Sequence, residues 1–106
     1  MGVLDIETLN EARKALLKIN PDIIMYGEGW TGGESTLPES ERGMKINAPR
    51  TPGIGMFSDD IRDAVKGHVF YMDELGFVNG AADRGEELKQ AVTCAKWAKS
   101  PMQSIN

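Results

Sequence analysis

Residues 23–33, which read Ile-Ile-Met-Tyr-Gly-Glu-Gly-Trp-Thr-Gly-Gly, join a short apolar run to a glycine-rich turn. The run is partly β-branched and lies between Pro21 and Gly27. A continuous apolar run of this length is typical of a buried parallel strand. The turn places Glu28 directly after the predicted strand. Because parallel α/β folds carry catalytic side chains at the carboxyl ends of their strands, Glu28 is the first candidate for chemistry.

The segment before this strand predicts a helix. Apolar residues recur at steps of three and four between Asp5 and Ile19, with acidic side chains near the start and basic ones near the end. Asn20 ends the helix because the residue before a proline is disfavoured in the α region. After the glycine-rich turn, residues 34–53 contain three prolines and many polar residues. They predict a long surface loop with one short helix over residues 39–44.

The second half predicts a further strand and two further helices. Residues 54–57 form a weaker strand candidate that runs into a helix over residues 59–66, with Ser58 as its N-cap and Gly67 at its end. After an irregular segment, residues 83–86 resemble a capping box and open a last helix. Strands that alternate with helices indicate βα units and a parallel sheet, so the predicted fold class is α/β. Two strands are few for a complete domain of this class.

Glu28 has surroundings that suit a general acid. Glycines on both sides would let a substrate approach the backbone, and Trp30 offers a flat apolar face on which a sugar ring could stack. The residues alone nevertheless favour the ordinary alternative. In that interpretation Glu28 is an exposed side chain in a glycine-rich turn beside a buried tryptophan.

Other residues are weaker candidates. Asp59 and Asp60 could bind a metal or a sugar hydroxyl, but acids in the first turn of a helix often only complement its dipole. His68 has no serine or cysteine placed to form a nucleophile–base pair. Cys94 is the single cysteine, which excludes an internal disulfide and a cysteine-based metal site, and it is predicted to pack as a small core residue. No dinucleotide or P-loop fingerprint is present, so we expect neither a metal nor another cofactor.

The charge pattern narrows the range of partners. The net charge is −4, and acidic and basic residues are interspersed without a basic stripe. Nucleic acid is therefore not an expected partner, because phosphate binding needs clustered lysine and arginine. Apolar runs stay well short of the roughly 20 residues that span a bilayer, so no membrane partner is expected either. The compartment stays open between cytoplasmic and secreted.

Four segments resemble type I pullulanases of the α-amylase superfamily. Residues 26–33 resemble the strand-five motif of that family, and residues 57–63 with Lys66-Gly67 resemble the strand-six segment. Residues 76–80 resemble the stretch that follows, and residues 5–10 resemble the helix after strand four. The resemblance runs collinearly over nearly the whole chain.

This resemblance implies the middle portion of a (β/α)8 TIM barrel, from helix four to helix six, with residues 1–106 as a partial catalytic domain. It implies that Glu28 is the general acid and that Trp30 binds substrate. The nucleophilic aspartate would precede residue 1, and the third acid would follow residue 106. The implied reaction is cleavage of α-1,6-glucosidic bonds with retention, on α-glucans such as pullulan, amylopectin and branched maltodextrins.

An isolated internal fragment is expected to be inactive, because the two aspartates that complete the site would be missing. It is also expected to form a small open α/β arrangement and to self-associate, since its strand edges and helix faces would lack partners. Two alternatives stay open. One is the same superfamily with isoamylase or branching-enzyme specificity, and the other is a free-standing, non-catalytic α/β binding module.

Overall fold

The computed structural model describes residues 1–93 of the 106-residue chain. Two compact units divide the chain, Met1–Phe57 and Ser58–Asn106. The first holds one helix and a pair of short strands, and the described part of the second holds two helices. The predicted mixture of helices and strands is therefore present.

Helix α1 spans Ile6–Ile19, as predicted. The Asp5 carboxylate caps it by accepting a hydrogen bond from the Thr8 N–H at 2.8 Å. The inner face of the helix buries Ile6 and Leu9, which are 6% and 2% exposed. These two side chains and Ile54, 7% exposed, form the core of the first unit.

Two short strands pair in parallel. Strand β1 spans Met25–Gly27 and strand β2 spans Ile54–Met56, with Met25 opposite Ile54 and Gly27 opposite Met56. The pairing confirms the predicted parallel sheet. The connection between the strands occupies residues 28–53, and it brings the two carboxyl ends to the same edge of the sheet.

The predicted burial of the first strand is wrong in this structure. The strand begins two residues later than the apolar run, and the side chains of Ile24 and Tyr26 are 81% and 64% exposed. Nothing in the described part of the chain covers this face of the sheet. The apolar run at residues 23–26 therefore packs on only one face of the sheet.

The long connection contains two 3-10 turns instead of the one short helix predicted over residues 39–44. They span Glu39–Glu41 and Lys45–Arg50, and Pro49 lies inside the second. The Asn47 amide joins the two turns by donating to the carbonyl oxygens of Glu39 and Arg42, at 2.7 and 2.9 Å. This polar segment therefore has a defined path across the surface.

In the second unit, helix α2 spans Asp59–Lys66, as predicted. The Ser58 hydroxyl caps it by accepting from the Ile61 N–H at 3.2 Å. Gly67 ends it with φ +95°, a left-handed value that glycine adopts without steric cost. Ala64 is buried on its inner face, at 3% exposure.

Helix α3 spans Gly85–Thr93 and follows a 3-10 turn at Ala82–Arg84. The capping box predicted for residues 83–86 is wrong, because Asp83 lies inside that turn and no side chain caps it at Ala81. Cys94 and the predicted end of the helix lie outside the described residues.

Candidate active site

Glu28 lies directly after β1, at the carboxyl end of the parallel pair. The Phe57 N–H donates to the Gly27 carbonyl oxygen at 3.2 Å, so the ladder of backbone hydrogen bonds continues to the residue that precedes Glu28. The side chain of Glu28 is exposed. Backbone pairing thus fixes the position of the Glu28 main chain, while its carboxylate stays accessible to a ligand.

Exposure alternates along this segment with the period of a strand. The side chains of Ile24, Tyr26 and Glu28 are exposed, whereas Met25 and Gly27 between them are partly buried. Alternate residues of a strand share one face, so Glu28 follows an apolar face made by Ile24 and Tyr26. The carboxylate therefore stands at the end of an uncovered apolar surface.

Phe57 extends the same surface from the second strand. Its ring meets the Tyr26 ring edge-on, with centroids 5.6 Å apart and planes at 86°. Sequence reasoning placed Phe57 in a strand candidate and in the segment that resembles strand six, but it missed this contact. The contact depends on the strand register, which brings Gly27 opposite Met56 and which the sequence alone does not give.

Close packing explains the glycine after Glu28. Gly29 is buried, and a Cβ there would come within 2.8 Å of the Met56 sulfur and 3.0 Å of the Lys45 backbone nitrogen. The Lys45 N–H also donates to the Gly29 carbonyl oxygen at 2.6 Å. The turn is thus held by close contact of Gly29 with Met56 and Lys45, and this contact requires a glycine.

Trp30 is half-buried, and its backbone packs on the start of the chain. A Cβ at Gly2 would overlap the Trp30 carbonyl group, so this approach needs a glycine at position 2. After Trp30 the Thr31 hydroxyl donates to the Gly33 carbonyl oxygen at 2.9 Å. The structure therefore holds Glu28 and Trp30 in one anchored turn, two residues apart.

Helix α2 carries Asp59 and Asp60, which the sequence singled out, and the neighbouring pair of Arg62 and Asp63. Asp63 accepts two hydrogen bonds from the Arg62 guanidinium, at 2.7 and 3.1 Å. This hydrogen bonding lowers the pKa of Asp63 and raises that of Arg62. Asp59 and Asp60 lie in the first turn of α2, where their charge complements the helix dipole.

His68 is part of a small aromatic cluster. Its Nδ1 accepts a hydrogen bond from the Phe70 N–H at 3.2 Å, and its ring centroid is 4.6 Å from that of Tyr71. Among residues 1–93, no three histidine, cysteine, aspartate or glutamate side chains are grouped so that they could hold a metal ion. No helix in the same range is both long and apolar enough to cross a membrane.

Relatives of known function share both the sequence and this fold. A pullulanase of Bacillus subtilis (strain 168) is 35% identical over 113 aligned residues that cover 100% of the chain. A crystal structure of the Paenibacillus barengoltzii pullulanase, in complex with maltohexaose and α-cyclodextrin, superposes on 97% of the chain with a TM-score of 0.82 and 41% identity. The chain is homologous to a segment of type I pullulanases. No protein-family profile matches it.

A third comparison agrees. The type I pullulanase of Bacillus subtilis, complexed with maltose, superposes on 95% of the chain with a TM-score of 0.83 and 35% identity. The chain spans only a small part of these pullulanases, namely 16% of the curated Bacillus subtilis relative and 17% of the Paenibacillus barengoltzii chain. The resemblance stated from the sequence is therefore confirmed, and it concerns one segment of a much longer kind of protein.

Proposed function

We propose that this chain is the part of a starch-debranching glycoside hydrolase that carries the general acid, Glu28. The observation that carries the proposal is the position of Glu28, exposed and anchored at the carboxyl end of a parallel strand pair. Homology to the pullulanases over the whole length of the chain supports it. The parent protein would hydrolyse α-1,6 linkages in pullulan or amylopectin.

In this proposal residues 1–106 form the middle of a (β/α)8 barrel, from helix four to helix six. The parallel pairing of β1 with β2 supports this placement, because neighbouring barrel strands pair in parallel. The uncovered apolar face of Ile24, Tyr26 and Phe57 supports it as well, since a barrel interior is filled with side chains from all of its strands. A complete barrel needs about 250 residues, far more than this chain has.

The chemistry assigned to Glu28 is proton donation to the oxygen of the glycosidic bond. A retaining glycosidase also needs a second carboxylate about 5–5.5 Å away, which attacks the anomeric carbon. In our proposal an aspartate of the parent, outside this chain, supplies that nucleophile. The isolated chain would therefore have no hydrolytic activity.

Trp30 would contact the glucan in the same site. The residue is half-buried in the turn that carries Glu28, two positions further along the chain. Aromatic faces bind the C–H face of a sugar ring, and Trp30 would offer such a face beside the proposed proton donor. The maltohexaose, α-cyclodextrin and maltose complexes of related pullulanases support an α-glucan as the ligand.

A segment exchange tests the proposal. Residues 1–106 replace the homologous segment of the Bacillus subtilis pullulanase, and hydrolysis of pullulan is measured. The chimera is expected to be active, and Glu28→Gln is expected to lower kcat by about 10²–10⁴-fold, the range for loss of general acid catalysis. Glu34→Gln, a matched change at an exposed glutamate of the same connection, should leave kcat within about twofold.

A substrate with a good leaving group makes the test specific for proton donation. An aryl maltoside whose phenolate departs without protonation should be cleaved by Glu28→Gln with a much smaller loss than pullulan. Equal losses on both substrates would contradict the role of general acid. An active chimera in which Glu28→Gln and Glu34→Gln behave alike would contradict the assignment of the residue.

A further inference from the structure

A shallow groove lies between helix α1 and the residues that lead into β2. Its volume is about 430 Å³, which falls in the size range of small-molecule sites. The lining residues come mostly from α1, where they follow one another at steps of three and one, and they are Asn10, Arg13, Lys14, Leu17, Lys18 and Pro52. Three basic residues and the apolar Leu17 and Pro52 thus line the groove together.

One of these cations lies against the residues that lead into β2. Gly53 has φ +77°, and a Cβ there would come within 2.6 Å of the Nε and Cζ atoms of Arg13. The Arg13 guanidinium therefore lies against the Gly53 backbone, whose positive φ favours glycine. Asn10 also links α1 to the residues before β2, because its Nδ2 donates to the Arg50 carbonyl oxygen at 3.0 Å.

The positive charge of this groove is only partly compensated. Lys14 pairs with Glu11 at 3.7 Å, and both side chains are largely exposed, so the pair is weak. Within residues 1–93 the structure records no ion pair for Arg13 or Lys18. A local excess of positive charge in a chain of net charge −4 points to an anion as the ligand.

We propose that this groove binds a small phosphomonoester. The Arg13 guanidinium would donate two parallel hydrogen bonds to the phosphate, the geometry in which arginine recognises this group. Lys18 and Lys14 would add charge, because a phosphomonoester carries close to two negative charges at neutral pH. The carbon skeleton would pack on Leu17 and Pro52. This site is separate from Glu28, and its ligand is not a neutral glucan.

Calorimetric titration of the full chain tests the proposal, with phenyl phosphate as the probe and inorganic phosphate and phenol as its separate halves. Phenyl phosphate is expected to bind saturably and more tightly than either half. Arg13→Gln and Lys18→Gln should each weaken binding about tenfold or more, the effect expected when a hydrogen bond to a charged group is lost. Because Lys18 is largely exposed on α1, its variant stays informative if Arg13→Gln disturbs the Gly53 turn.

Lys89→Gln in helix α3 is the matched control, since it also removes one exposed cation, there paired with Glu86 at 2.6 Å. It should change the affinity less than twofold. Equal weakening by Lys89→Gln and Lys18→Gln would overturn the proposal, because the net charge of the chain and not the groove would then explain binding. Absence of saturable binding, or equal affinity for inorganic phosphate and phenyl phosphate, would overturn it too. None of these outcomes depends on Glu28 or on activity towards pullulan.

Discussion

The ring of Phe57 stands edge-on to the ring of Tyr26, with their centroids 5.6 Å apart. Tyr26 lies in β1, and Phe57 directly follows β2. Gly55 leaves space beside the Tyr26 side chain, since a Cβ at position 55 would lie 3.3 Å from the Tyr26 Cβ. Both rings are more than half exposed, at 64% and 51%. Together with Ile24 they form an apolar face next to Glu28. Exposed apolar patches of this kind are typical of contact surfaces.

We expect the isolated chain to self-associate through this face. Its average mass by light scattering should rise with concentration, and Ile24→Lys should shift the curve towards the monomer, because a buried lysine charge opposes the contact. Ile19→Lys is the matched control: Ile19 is 83% exposed at the end of α1, against 81% for Ile24. A monomeric wild-type chain at high concentration, or equal effects of the two variants, would contradict the prediction.

Gly67 is expected to be intolerant of any side chain. Its φ of +95° and ψ of 169° lie in a region that is nearly restricted to glycine, and a Cβ there would overlap the Glu74 carbonyl oxygen. Gly67→Ala should therefore lower the free energy of unfolding by about 2–3 kcal/mol, measured by urea denaturation. Gly33→Ala should cost less than about 0.5 kcal/mol, because a Cβ there meets no atom within 4 Å. Similar losses for the two variants would refute this explanation.

Elements encoded by neighbouring residues were predictable from the sequence. The start of α1 at Asp5, the N-cap Ser58 and the terminating Gly67 lie where the sequence placed them, because each acts on a helix within a few residues of itself. The position of Glu28 at a strand end was predictable for the same reason. Asp83 was misplaced because the 3-10 turn before α3 starts one residue earlier, at Ala82.

Features that depend on distant residues were not predictable. Whether a face of β1 is covered depends on what packs against it, and an apolar run carries no information about that. The contact of Phe57 with Tyr26, the packing of Gly2 on Trp30 and that of Gly53 on Arg13 each need a register or a tertiary path. The family assignment of Glu28 came from resemblance, since the residues alone favoured an ordinary exposed glutamate.

Asn79 joins the end of α2 to the 3-10 turn at Phe77–Asn79. Its Oδ1 accepts from the Gly76 N–H at 2.7 Å, and its Nδ2 donates to the Lys66 carbonyl oxygen at 3.0 Å. Asn79→Ala should lower the free energy of unfolding by about 1–2 kcal/mol in urea denaturation, because both partners lose a hydrogen bond. Val78→Ala, at a neighbouring side chain that is 68% exposed, should have a smaller effect. The reverse order would contradict the bridging role.

Asp5 gives the stability of α1 a dependence on pH. The hydrogen bond from Thr8 lowers the pKa of Asp5, so in the folded state it lies below the value of about 3.9 that is usual for an unfolded chain. A carboxylate with a lowered pKa contributes stability above the unfolded pKa, and that contribution is lost as the pH falls through the folded pKa. Asp5→Asn keeps a good N-cap that does not titrate.

The stability difference between wild type and Asp5→Asn, measured by urea denaturation, should therefore shrink as the pH falls below about 4. Asp83→Asn removes an exposed carboxylate that caps no helix, and its pH dependence should follow the wild type. If Asp83→Asn flattened the profile as much as Asp5→Asn, the cap would not be the source of the effect.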